Sequence, residues 1–286
     1  MPVQGSEGVD GVSGATLQEA SGTEHAGSQY EGIAGSRDCL EKAEPMIQIS
    51  HVSVKYRLAR EKPKTLQEYI IRRLKGGRIV YEDFWGLREV TFDVLKGETF
   101  GIIGSNGAGK STLLKVVAGV LTPASGSVVI RGKLAPLIEL GAGFDMELTG
   151  KENIYLNASI LGLSKKETVE IFDKVVTFSE LSDFIHSPLK SYSSGMVSRL
   201  GFAIAVEVNP GILIIDEVLA VGDERFKRKC EEKITGFKER GVTILLVSHA
   251  MDDVERLCDR VLWMDHGSQR MCGDPRTVIN EYRKAL

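Results

Sequence analysis

The run TFGIIGSNGAGKST, residues 99–112, restricts the fold of this chain more than any other stretch. An apolar segment leads into a glycine-rich turn, and Gly104, Gly109, Lys110 and Ser111 stand in G-x-x-x-x-G-K-[ST] spacing ahead of a helical pattern. Strand, turn and helix N-terminus in that order make a phosphate cradle. The glycines let backbone N–H groups curl around phosphate oxygens, and the helix dipole adds partial positive charge. The predicted cradle is Gly104, Ser105, Asn106, Gly107, Ala108, Gly109, Lys110, Ser111 and Thr112. Within it Lys110 can reach the β- and γ-phosphates of a nucleotide and Ser111 can ligate Mg²⁺.

GILIIDE, residues 211–217, supplies a second half. Asp216 ends an apolar run, where a carboxylate can hold Mg²⁺ through water, and Glu217 follows in position to polarise an attacking water. GILIID and VTILLVS are continuous apolar runs of the kind buried in a parallel sheet. Elsewhere MIQISHVSVKY, TFDVLKGE and GSVVIRGKLAPLIEL read as strands, and KSTLLKVVAGVL as a helix closed near Gly119. Residues 149–185 read as almost wholly helical, and RVLWMDHGSQRMCG as two strands around Asp265-His266-Gly267 before a short helix. Strands alternating with helices around a helical insert predict an α/β domain carrying an α-subdomain.

Composition narrows the class. The hydrophobic fraction of 42 % and charged fraction of 26 % suit a globular chain, and no apolar run approaches the length of a membrane span. The N-terminus lacks a basic region followed by an apolar core, so a cytoplasmic chain is expected. Cys39, Cys230, Cys258 and Cys272 are scattered with no CxxC pair, which predicts reduced thiols and no zinc site. Residues 1–45 are rich in Gly, Ser, Glu and Ala, with eight acidic residues against Arg37 and Lys42. They are expected to be disordered, and Met46, where the strand pattern begins, is a candidate alternative start. The remainder carries only a mild positive balance, which does not call for a nucleic-acid partner. Between them, KPKTLQEYIIRRLKGG carries a Thr65/Glu68 capping-box spacing, then Leu66, Tyr69, Ile70 and Leu74 on one helical face. That amphipathic helix either packs on its own domain or meets a membrane surface or partner.

SYSSGMVSRLGF, residues 191–202, read alone, is a helix cap. Its place in the order P-loop, serine-glycine turn, apolar-strand-Asp-Glu and apolar-strand-Ser-His resembles the ATP-binding-cassette ATPases, over residues 46–286. The resemblance implies a P-loop NTPase core of RecA-like type with an antiparallel β-subdomain and an α-helical subdomain at about 148–205. It implies ATP and Mg²⁺ as ligands. Ser111 and Asp216 would bind the metal, Glu217 would be the base, and His249 the switch histidine on the γ-phosphate. Tyr192, Ser193, Ser194, Gly195 and Met196 match the signature turn, usually Leu-Ser-Gly-Gly-Gln, with Arg199 as the family's downstream arginine. Asp223 takes the D-loop position. Tyr56 matches the aromatic that stacks on adenine, with Trp85 as its competitor, and Glu139 stands where the family's Q-loop glutamine is usual.

The insertion at 57–85, LGAGFDMELTGKENIYLN, KSYSSGMVSRLGFA and DEVLAVGD together resemble the polysaccharide-exporter ATPases, which export lipid-linked O-antigen or teichoic-acid chains. That implies a homodimer with each ATP between one P-loop and the other subunit's signature turn. It also implies a peripheral position on the cytoplasmic face of the inner membrane, under a permease of about six spans. Leu66, Tyr69 and Ile70 are then expected to face that partner or the bilayer. The carbohydrate-binding β-domain of many O-antigen exporters is not expected, because the chain ends at Leu286 soon after the ATPase core. The alternative reading is a soluble, non-transport cassette ATPase acting on ribosomes or DNA.

Overall fold

The computed structural model describes residues 45–59, 81–137, 141, 143–216 and 222–286. Residues 1–44 of the expected disordered extension and the amphipathic helix at 62–77 lie outside the described residues, and Pro45, the last residue of that extension, is strand. In chain order the elements are β1 (Pro45–Ala59), β2 (Tyr81–Leu95), β3 (Thr99–Ile103), α1 (Lys110–Val117), β4 (Ser125–Ile130) and β5 (Leu134–Leu137). Then come α2 (Gly150–Ile160), α3 (Lys165–Ser179), α4 (Ser194–Glu207), β6 (Ile212–Asp216), α5 (Glu224–Glu239) and β7 (Thr243–Val247). The chain closes with α6 (Met251–Leu257), β8 (Arg260–Asp265), β9 (Ser268–Gly273) and α7 (Pro275–Ala285).

The central sheet has the order β5-β6-β7-β3-β8-β9, parallel throughout except for β9. Its middle strands, TFGII and TILLV, are buried along their whole length, which explains their unbroken apolar character. Successive side chains point to opposite faces. Phe100, Ile102, Ile212, Ile214, Leu245 and Val247 therefore join one core, shared with Leu113 and Leu114 of α1 and the inner face of the antiparallel sheet β2-β1-β4. Ile103, Leu213, Ile215, Ile244 and Leu246 join the other, packed by Phe202, Phe226 and Phe237 from α4 and α5.

A third core fills the helical subdomain, where Ile154, Ala158, Val175, Leu200 and Ile204 meet. Its helices start on side-chain caps, with reciprocal capping boxes at Thr149/Glu152 and Ser164/Glu167. Helix α4 belongs to two cores at once. Leu200, Ala203 and Ile204 face the helical subdomain, whereas Phe202, Ala205 and Val206 face the sheet.

Two expectations need correction. GSVVIRGKLAPLIEL is two strands in different sheets, β4 pairing antiparallel with β1 and β5 pairing parallel with β6. The chain changes sheets at Gly132, whose φ of 131° suits glycine, while Arg131 N donates to Met46 O to finish the first ladder. Residues 149–185 are two helices, parted at Gly162 (φ 82°), with turns after α3. Leading away from the core, β1 and β2 continue pairing out to Ala59↔Tyr81, so both ends of the 57–85 stretch are strand. Among the described residues no helix is long and apolar enough to cross a membrane.

Phe202 is fully buried and meets the rings of Phe178 and Phe226 at 5.8 and 6.3 Å. Phe202→Ala should therefore cost about 3–5 kcal/mol of folding stability, measured by urea unfolding, with the m-value unchanged.

Candidate functional site

The glycine-rich turn is held by backbone packed against backbone. Gly104 has φ 150°, and a Cβ there would lie 2.2 Å from Met264 O on β8. Gly109, at φ 103°, would place a Cβ 2.7 Å from Gly86 O on β2. Neither position can carry a side chain without moving a neighbouring strand. Ala108, buried inside the turn, accepts from Gly267 N at 2.9 Å, and Gly267 O accepts from Arg88 N at 2.8 Å. The loop is thus clamped between β2 and the β8–β9 hairpin.

Inside this clamp Lys110 is 6 % exposed, and its Nζ donates to Gly104 O at 2.7 Å and Ser105 O at 3.0 Å. These bonds centre the ammonium on the loop. Helix α1 starts at Gly109 with no side-chain cap, so its first N–H groups face the turn, whereas α2, α3, α4, α5 and α7 each have one. Ser105, Asn106, Gly107 and Ser111 are exposed around the cradle, and Thr112 is half-buried on its far side. A helix N-terminus with no side-chain cap and a buried ammonium suit an anionic ligand of phosphate type.

Strand register brings the second motif alongside. Val247 on β7 is level with Ile102 on β3 and with Asp216 on β6. The cradle, Asp216 and His249 therefore leave the same edge of three adjacent strands, His249 two residues beyond β7 and exposed. Glu217 and Glu139 lie outside the described residues.

The signature turn belongs to the helical subdomain. Ser193 caps α4 by accepting from Met196 N at 3.2 Å, and Ser193 and Ser194 are exposed, with Gly195 and Met196 half-buried. Tyr192 differs from its neighbours. It is 8 % exposed, its hydroxyl donates to Phe184 O at 2.6 Å, and burial raises its pKa. Its side chain fixes the entry to α4, and a Cβ on Gly150 would strike its hydroxyl. Asp223 caps α5 by accepting from Phe226 N at 2.9 Å through Oδ1, while Oδ2 takes Arg199 Nη2 at 2.8 Å. The Phe226 amide first, and the Arg199 guanidinium further, lower the Asp223 pKa.

Sequence reading leaves Tyr56 and Trp85 as competitors, and they occupy different surroundings. Tyr56 OH is 3.2 Å from Thr112 Oγ1, beside the cradle, and its ring lies over Gly86, where a Cβ would come within 2.6 Å of it. Trp85 takes the Lys55 ammonium 5.4 Å from its ring centroid. Gly86 and the turn glycine Gly267 both support the cradle, a role that no motif in the sequence assigns them. A lone glycine after two aromatic residues in a strand (FWGL) and one ending the hairpin turn DHG were the available signals of close backbone approach.

Gly104→Ala should weaken nucleotide binding by about fivefold to 150-fold, since the strand beneath must shift at a cost of about 1–3 kcal/mol. Gly107→Ala, with φ 81° but nothing within 4 Å of its Cβ, should weaken it less. Titration with a fluorescent ATP analogue compares the two.

A family model described as ABC transporter matches residues 87–220. The O-antigen export system ATP-binding protein RfbB of Klebsiella pneumoniae is 46 % identical over 243 residues, covering 85 % of this chain and 99 % of the relative. The teichoic acids export ATP-binding protein TagH of Levilactobacillus brevis is 44 % identical, covering 83 % of this chain and 64 % of the relative. Among solved structures, an ATP-binding subunit of an ABC transporter superposes with a TM-score of 0.66 at 25 % identity, covering 83 % of this chain and 93 % of the other. A dimeric ATP-binding cassette bound to ADP and Pi shares the fold with a TM-score of 0.63 at 20 % identity, covering 81 % and 99 %. The clamped P-loop, the aligned strand ends and these likenesses lead to one conclusion: the chain belongs to the ABC transporter family of ATP-binding proteins.

Proposed function

We propose that this chain is the ATP-hydrolysing subunit of an exporter that moves a lipid-linked polysaccharide, of O-antigen or teichoic-acid type, across the cytoplasmic membrane. The observation that carries this reading is the likeness, over more than four-fifths of the chain, to relatives named for O-antigen and teichoic-acid export. A soluble cassette ATPase acting on ribosomes or DNA is not favoured by either relative. The chain would sit peripherally on the cytoplasmic face as a homodimer, beneath a permease, with Leu66, Tyr69 and Ile70 of the insertion toward that partner or the bilayer.

The chemistry is mostly positioning and charge neutralisation around a phosphoryl group. Backbone N–H groups of residues 104–112 and Lys110 hold the phosphates, and Tyr56, beside Thr112, is the adenine-stacking candidate. Ser111 and Asp216 are the residues that would hold Mg²⁺, which when bound neutralises charge on the β- and γ-phosphate oxygens. Glu217 takes the role of base toward water, His249 senses the γ-phosphate, and Glu139 stands at the Q-loop position. Across the dimer the second copy presents Ser193, Ser194, Gly195 and Met196, with Tyr192 holding that turn in place and Asp223 at the seam. A capped helix N-terminus facing the γ-phosphate binds only while that phosphate is present, so hydrolysis reopens the dimer.

Glu217→Gln should keep ATP binding, lower turnover by about 10²-fold or more and accumulate an ATP-bound dimer on size exclusion. Wild-type turnover in that variant removes the base assignment. In a host lacking the chain, wild type should restore surface polysaccharide and Glu217→Gln should not; polysaccharide unaffected by loss of the chain removes the export reading. Tyr56→Ala should weaken ATP binding by about fivefold to a hundredfold, the worth of one base–aromatic stack, and Trp85→Ala should leave it unchanged.

A further inference from the structure

Glu180 is the C-cap of α3 and adopts φ 60°, ψ 36°, the left-handed region. Glycine takes this conformation without steric cost and is the usual residue there, whereas a Cβ crowds the following carbonyl. A glutamate kept in that backbone directs attention to its carboxylate. Oε1 lies 3.1 Å from Lys229 Nζ on α5, and Oε2 lies 3.6 Å from Arg199 Nη1 on α4. Lys229 Nζ also donates to Phe178 O at 2.9 Å, so α5 is tied to the last turn of α3 twice.

Arg199 carries the connection onward. Its other nitrogen, Nη2, is 2.8 Å from Asp223 Oδ2, its guanidinium lies 4.8 Å over the Phe226 ring, and Gly222 packs on its Nε, where a Cβ would come within 3.0 Å. The Arg199 side chain is 20 % exposed, whereas Glu180 and Asp223 are 36 % and 66 % exposed, so the guanidinium is held mainly by its packing on Phe226 and Gly222 and the ion pairs set its direction. On α4, Arg199 stands six residues after Ser193, the cap of the signature turn. One guanidinium therefore joins the end of α3, the signature helix and the N-cap of α5.

We propose that Glu180 is a positioning residue for the ATP site: through Arg199 it holds Asp223 and the start of α5 in fixed register with the signature turn. Without it the guanidinium loses its anchor on α3 and is free to turn about its own side chain, so its hold on Asp223 no longer fixes the register of α5 against the signature turn. The proposal rests on the reading of the signature turn and Asp223 as the half-site that completes a partner's ATP.

Glu180→Gly separates this role from a local structural one, because it relieves the backbone and removes the carboxylate together. Glu180→Gln keeps the backbone and removes only the charge. With full-length protein, Glu180→Gly should melt no lower than the parent. Both variants should lose about tenfold in ATPase kcat with the KM for ATP within about twofold, as expected of a coupling and not a binding defect. Both should also dimerise less readily with a non-hydrolysable ATP analogue, read by analytical ultracentrifugation. Parental kcat in Glu180→Gly overturns the proposal, as does loss of turnover in Glu180→Gly with full turnover in Glu180→Gln. A parent chain that does not dimerise with the analogue overturns the half-site reading itself, and this inference with it.

Discussion

The structure depends on backbone touching backbone at the floor of the nucleotide cradle. Gly104 against Met264 O, and Gly109 and Gly267 against Gly86 O, leave no room for a side chain. With the Ala108–Gly267 and Arg88–Gly267 hydrogen bonds they hold a loop that has little side-chain packing of its own. A cradle of exposed N–H groups has every tendency to collapse onto itself or rearrange. Here it cannot, because strands from both sheets fix it from outside and Lys110 fixes it from inside. Pre-organisation of this kind lets dipoles face an anion without first paying to reorient.

Much of this was legible in the sequence. The cradle was readable because its chemistry needs specific residue types at specific spacing, and the buried strands because continuous apolar runs have few other uses. What remained hidden depended on long-range packing. GSVVIRGKLAPLIEL gave no sign that its halves enter different sheets, since strand periodicity is the same in both, and only Gly132 marks the change. Gly86 lies in sequence far from the loop that it supports, so its need for a missing side chain appears only once β2 lies beside α1. Tyr192 reads as part of a surface motif, yet its ring is buried and its hydroxyl bonded to Phe184 O, because α4 must be aimed before it can be exposed. Glu180 gave no signal, because its interest lies in a backbone angle.

Helix α4 explains how the helical subdomain and the sheet act on one another. Its alternate faces serve two cores, with Ile204 and Leu200 in one and Phe202 and Val206 in the other. Packed interiors resist gradual deformation, so a helix shared in this way transmits displacement as a unit. The charged contacts of Arg199 sit on the same helix, one turn before Phe202, and add a polar connection to the apolar one.

The long ladder of β1 and β2 has a consequence for how such chains diversify. Its rungs continue to Ala59↔Tyr81, well past the residues that border the cradle, so whatever joins the two strands is attached through a closed, hydrogen-bonded stalk. A segment carried on such a stalk can lengthen, shorten or change its character while the ladder below keeps its register. Change beyond the last rung is thereby separated from the cradle at the base of the ladder.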